Sequence, residues 1–213
     1  MSDQELLVQV KQKAQAWTQA PHDEETRQTV TRWLEGCDED PALREALIDA
    51  FYTELSFGTG GLRGKMGPGT NRINATTIGL ATQGLSNHLL EVHGPHPAGE
   101  PWRVAVACDS RNQSQEFAQI TAEVLAANGF EAWLYPELRP TPQLSWTVRE
   151  LGAVGGVVIT ASHNPPAYNG YKVYAEDGGQ VVAPADAALV NHVRALGADL
   201  VVARRYEGVR VLG

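Results

Sequence analysis

From residue 103 onward the chain alternates between short apolar runs and helical patterns, and few folds accommodate that alternation. Residues 103–108, 130–135 and 154–160 read as buried strands. Residues 114–128 and a segment opened by Thr141-Pro142 read as helices, closed by Gly129 and Gly152. Residues 171–175 add a strand with a turn at Asp177-Gly178-Gly179, and residues 184–196 add a helix closed by Gly197. A strand, a crossover helix and a second strand make a parallel pair, and the helices must cover the sheet faces. The fold class expected is α/β: a three-layer α/β/α domain with a mixed, mostly parallel sheet.

The chain before residue 103 has a different texture. Ser2 and Glu5 have capping-box spacing, and Leu6, Val10, Ala14 and Trp17 follow at helical intervals. A second helix is expected over residues 23–35, stopping at Gly36. A third opens at Asp40-Pro41 and buries Leu43, Leu47, Ile48 and Phe51. Residues 1–52 thus form an N-terminal helical extension, and residues 53–198 the α/β/α domain. Residues 57–74 hold six glycines and cannot make a stable helix, since each interior Gly costs about 1 kcal/mol relative to Ala. A helix over residues 75–93 is expected next, capped by Asn74, with Ile78, Leu85 and Leu89 inward. Residues 199–213 open a new strand-like run (Leu200, Val201, Val202, Val209, Val211), read as the truncated start of a linker or second domain.

Composition narrows the function. The 213 residues suffice for one sizeable domain, and a net charge of -8 argues against nucleic acid as a partner. A local cluster of Arg, Lys and backbone N–H groups can still bind a small phosphate inside an acidic protein. Cys37 and Cys108 form no CxxC pair, the first residues are polar, and no apolar run approaches the roughly 18 residues a membrane span needs. A reducing cytoplasm and no membrane partner are expected.

Ligands of open α/β sheets bind beyond the carboxyl ends of the strands. Three strand ends lead into Asp109-Ser110-Arg111, Arg139-Pro140-Thr141-Pro142 and Ser162-His163-Asn164. If the strands are parallel, one edge collects a hydroxyl, an imidazole and two guanidinium groups, which suit phosphate. Pro165 and Pro166 stiffen the loop after Ser162, Asn169-Gly170 marks a tight turn, and Lys172 opens the next strand. From spacing alone, Ser162 and Asn164 fit ordinary side-chain turns equally well, and His163 and Lys172 fit a surface position. Arg63 lies in the glycine-rich segment, whose N–H groups could approach an anion or merely permit turns. GxGxxG fails at Arg63 and GxxxxGK[ST] fails at Thr59 and Met66. No GxSxG surrounds Ser162, which weighs against a hydrolase triad of Ser162, His192 and Asp177.

Phe57-Gly58-Thr59-Gly60-Gly61-Leu62-Arg63-Gly64 is followed about a hundred residues further on by Thr160-Ala161-Ser162-His163-Asn164-Pro165 and by Asn169-Gly170-Tyr171-Lys172. This order of motifs resembles domain I of the α-D-phosphohexomutase superfamily, the phosphoglucomutases and phosphomannomutases. Residues 66–72 and Ala81-Thr82-Gln83-Gly84 are most similar to the phosphoglucomutase and phosphopentomutase branch. The resemblance implies that Ser162 carries a phosphoryl group and exchanges it with a phosphorylated sugar through a bisphosphate intermediate, interconverting sugar 1-phosphate and 6-phosphate. It further implies Lys172 as acid or base with His163 beside it, and Arg63 lining the centre. Thr59, Gly60, Arg111 and Asn164 would contact substrate phosphate. The phosphate on Ser162 would supply one ligand to Mg²⁺, and a glucose 1,6-bisphosphate-type activator would charge the serine.

The departure is equally plain. Complete members have four domains, and the DGD metal loop of the second occurs nowhere in this chain. The sugar and phosphate loops of the third and fourth have no counterpart either. The chain is expected not to turn over substrate alone and to need the remaining mutase domains as partners. The alternative is a stand-alone, non-catalytic sugar-phosphate-binding module.

Overall fold

The computed structural model describes residues 3–55, 61–184, 186–197 and 200–212. Its first helices are α1 (Asp3–Gln15), α2 (Glu24–Gly36) and α3 (Pro41–Phe51). Asp23 caps α2 by accepting from Thr26 N, and Asp40 caps α3 ahead of Pro41. These helices bury a small core of their own around Val10, Trp17, Val30, Leu47 and Phe51. Trp17 lies in a 3₁₀ turn after α1, and Leu43 and Ile48 are only half-buried. The expected Ser2 cap lies outside the described residues.

The main domain follows as β1 (Leu62–Lys65), α4 (Ala75–His93), β2 (Arg103–Cys108), α5 (Ser114–Ala127), β3 (Glu131–Leu134), α6 (Thr141–Glu150), β4 (Gly155–Ile159), β5 (Tyr168–Ala175), α7 (Asp186–Ala195) and β6 (Val209–Val211). The sheet order is β1-β5-β4-β2-β3-β6. β4, β2, β3 and β6 run parallel, whereas β5 and β1 are antiparallel to their neighbours. Helices α4, α5 and α7 pack on one face over Val104, Val106, Val157, Ile159 and Tyr171. Helix α6 covers the other face through Leu144 and Val148. The expected three layers and mixed sheet are therefore present.

Three local expectations are corrected. The glycine-rich segment is not loop throughout, because residues 62–65 pair with 168–171 as the edge strand β1. Asn169-Gly170 is not a turn but the interior of β5, and the reversal comes earlier, where Tyr168 N donates to Pro165 O at 2.9 Å. Leu200, Val201 and Val202 form no strand, whereas Val209–Val211 pairs in parallel with β3.

Candidate active site

The parallel strands β2 and β4 release their following loops at one edge, and Asp109 N donates to Ile159 O at 3.1 Å across them. Here the chain after β4 tightens around Ser162. Its backbone is left-handed at φ 57°, a conformation that contact between Cβ and the carbonyl oxygen makes uncommon outside glycine. Asn164 N donates back to Ala161 O at 3.1 Å, and Ser162 N donates to Thr160 Oγ1 at 2.9 Å. Ser162 itself is exposed, and its Oγ stands 3.2 Å from His163 Nδ1.

Asp109 underpins the loop. Its Oδ2 accepts from Thr160 Oγ1 at 2.6 Å, while Oδ1 accepts from Arg111 N and Ser114 Oγ, both at 3.0 Å. Ser114 Oγ in turn accepts from Asn169 Nδ2 at 3.0 Å. Cys108, next in line, is buried, and burial together with the Asp109 charge pushes its thiol up to about 11, so it is no nucleophile at neutral pH.

Arg111, expected at a substrate phosphate, is bonded to the backbone of the Ser162 loop. Its Nη1 donates to Pro165 O at 3.1 Å and Tyr168 O at 3.0 Å. Its Nη2 donates to Ser162 O at 2.6 Å and Asn164 O at 2.8 Å. Four carbonyls accept from the two terminal nitrogens of the fork. The Nε completes an ion pair with Asp109 Oδ2 at 3.3 Å without hydrogen-bond alignment.

Arg63 is the exposed guanidinium of the site. Its one hydrogen bond among the described residues is a long 3.4 Å contact from Nη1 to Asn164 Oδ1. Lys172 is half-buried opposite Val158. Ser162, His163, Asn164, Arg63 and Arg111 thus converge, whereas Thr59 and Gly60 lie outside the described residues. Arg139 is held by Glu137 at 3.0 Å and stacks over Tyr135. His192 pairs with Glu91 at 2.6 Å and Asp177 accepts from Gly179 N, so neither forms a triad with Ser162. The sequence assigns no role to Asp109, Thr160 or Ser114; Asp109 and Thr160 directly follow β2 and β4, where site residues collect, whereas Ser114 opens α5 and carries no such signal.

The donor set does not make a Mg²⁺ site by itself. Among the described residues no three His, Cys, Asp or Glu side chains cluster, and Asp109 is already committed to Arg111, Ser114 and Thr160. Among the described residues no helix is long and apolar enough to cross a membrane.

The family model for phosphoglucomutase/phosphomannomutase, alpha/beta/alpha domain I, matches residues 54–198. The chain belongs to this family. The phosphoglucomutase of Staphylococcus epidermidis is 42% identical over 171 residues, covering 74% of this chain and 30% of that protein. A probable phosphoribomutase of Schizosaccharomyces pombe is 37% identical over 170 residues, covering 80% of this chain and 28% of its own. A Thermus thermophilus structure assigned as a phosphomannomutase superposes with a TM-score of 0.64 at 30% identity, covering 75% of this chain and 33% of that one. The chain therefore spans about a third of the length of the phosphomutases it matches. Both the Arg63 segment and the Ser162 loop fall inside the part matched to domain I.

Proposed function

We propose that this chain is the phosphoserine-bearing domain of a phosphoglucomutase-type enzyme, with Ser162 as the residue that receives and returns the phosphoryl group. The observation that carries this reading is an exposed serine held left-handed beyond β4, its Oγ 3.2 Å from an imidazole nitrogen, in a chain of the phosphohexomutase family.

The residues suit both directions of transfer. In the forward step a sugar hydroxyl attacks phosphorus, the new oxygen–phosphorus bond forms and the Ser162 Oγ–P bond breaks. The hydroxyl proton must leave as this happens, and Lys172 is the base proposed to take it. In the return step Ser162 Oγ attacks the phosphate at the other end of the bisphosphate, the new Oγ–P bond forms and the sugar oxygen–phosphorus bond breaks; His163 Nδ1 is within reach of the serine proton, and Lys172 returns its proton to the departing sugar oxygen. Arg63, exposed and lightly bonded, supplies positive charge where the transferred oxygens carry negative charge. Domain I alone provides the phosphoryl carrier, so full turnover is assigned to the chain together with the other mutase domains. In the family these act with Mg²⁺, and a cytoplasmic setting is part of the same proposal.

Intact-mass analysis of the chain incubated with glucose 1,6-bisphosphate tests the assignment. The expected result is one added phosphate that is lost in Ser162→Ala. No added phosphate, or the same gain in Ser162→Ala, would overturn it. A non-catalytic binding module would bind sugar phosphate without any gain in mass.

A further inference from the structure

We propose that Arg111 and Asp109 are positioning residues that hold Ser162 in its left-handed conformation from the neighbouring β2–α5 connection. The inference rests on Ser162 as the phosphoryl carrier, and it explains how a serine can stay in a backbone state it does not favour.

Left to itself, a serine at φ 57° relaxes toward the right-handed or extended regions, and the hydroxyl turns with the backbone. Two ties oppose that rotation, one on each side of the residue. On the amino side, Ser162 N is bonded to Thr160 Oγ1, whose own proton goes to Asp109 Oδ2 at 2.6 Å. On the carbonyl side, Ser162 O accepts from Arg111 Nη2 at 2.6 Å. The same guanidinium gathers the carbonyls of Asn164, Pro165 and Tyr168, so the whole turn faces one cation. Neither anchor belongs to the loop it holds. Asp109 and Arg111 pair with each other at 3.3 Å and sit about fifty residues earlier, fixed by Ser114 and the end of β2. Arg63 reaches the loop only through the Asn164 side chain, and the His163 ring bonds Ser162 Oγ rather than the backbone.

The test couples Arg111 to the strain at Ser162. In the otherwise unaltered chain, Ser162→Gly should melt roughly 2–3 °C above Ser162→Ala, because only glycine relieves the left-handed penalty. In an Arg111→Met background the gap should close, since the released loop leaves that conformation. A general loss of stability would instead lower both melting temperatures and keep the gap. Thr160→Val, which removes the amino-side tie, serves as the second background should Arg111→Met not fold. A gap that persists in the background that folds, or no gap in the unaltered chain, overturns the proposal.

Phosphate uptake from glucose 1,6-bisphosphate gives the second readout. Arg111→Lys should slow it by on the order of 10²-fold, because an ammonium cannot reproduce the planar fork. Uptake at the original rate in Arg111→Lys also overturns the proposal. Absence of uptake in the unaltered chain would instead remove the carrier role of Ser162, and the melting gap would still decide the clamp.

Discussion

Around the candidate site, individual residues are chosen for what they let the backbone do. Gly170 lies where β1, β5 and the end of β4 converge, and a Cβ there would meet Leu62 O and Thr160 O, each at 2.6 Å. Gly170→Ala should therefore destabilise the chain by about 2–3 kcal/mol, read from urea unfolding, because two backbone carbonyls cannot move aside cheaply. Arg63 behaves in the opposite way. With one long hydrogen bond among the described residues, Arg63→Met should leave stability within about 0.5 kcal/mol while lowering phosphate uptake by Ser162. The sequence points to Ser162, His163 and Arg63 through their motifs, and the structure brings them together. It misleads at Asn169-Gly170, because the preference of Asn-Gly for turns is outweighed here by the sheet. Asn169 bonds Asn112 O and Ser114 Oγ, and Gly170 fits between two strands. The role of Arg111 is illegible in sequence, since its partners are carbonyls that any residue could supply.

At the scale of elements, helix α4 depends most visibly on its start. Asn74 Oδ1 accepts from Thr77 N, Thr77 Oγ1 accepts from Asn74 N, and Asn74 Nδ2 donates to Gly67 O and Gly69 O. Asn74→Ala removes the cap and leaves both carbonyls without this donor, an expected loss of about 2 kcal/mol in chemical unfolding. Asn74→Asp should recover only the cap. Where α4 meets α7, desolvation and then the nearby His192 hold His88 below its ordinary value of 6.5. Burial likewise lowers His22. A depressed histidine is neutral in the folded chain but takes up a proton when unfolded, so this contribution is present above about pH 6.5 and is lost as pH falls below it. Melting temperature should decline from pH 7 toward pH 5.5, and less steeply in His88→Gln. Helices such as α4 and α5 are legible because apolar spacing and terminal residues agree over many turns. The short edge strand β1 is not, and for β6 only the strand-like Val209 and Val211 are legible, since three or four residues carry no period and their pairing is decided by distant partners.

Taken whole, the molecule consists of a helical extension fastened to the α/β/α domain by backbone and side-chain bonds. Asn71 N donates to Ala50 O at 3.0 Å, Asn71 Nδ2 to Asp49 O at 2.9 Å, and Arg72 pairs with Asp49 at 2.5 Å. Gly69 fits against Ala50 O with φ 121°, and an added Cβ would collide with that oxygen. The extension and the domain should therefore unfold in one transition. Gly69→Ala should separate it into two, visible as non-coincident curves when the fluorescence of a variant that keeps Trp17 as its only tryptophan is compared with far-UV circular dichroism. The pairing of β1 with β5 also bears on how the chain acquires its shape. Residues 62–65 must find residues 168–171, across roughly a hundred intervening positions, before the edge that holds Arg63 and Ser162 exists. Contacts so remote in sequence form late. During synthesis the central parallel strands can gather first. The edge that carries Arg63 and Ser162 can close only after β5 has left the ribosome, so a nascent chain halted before Tyr168 would lack the pairing of β1 with β5.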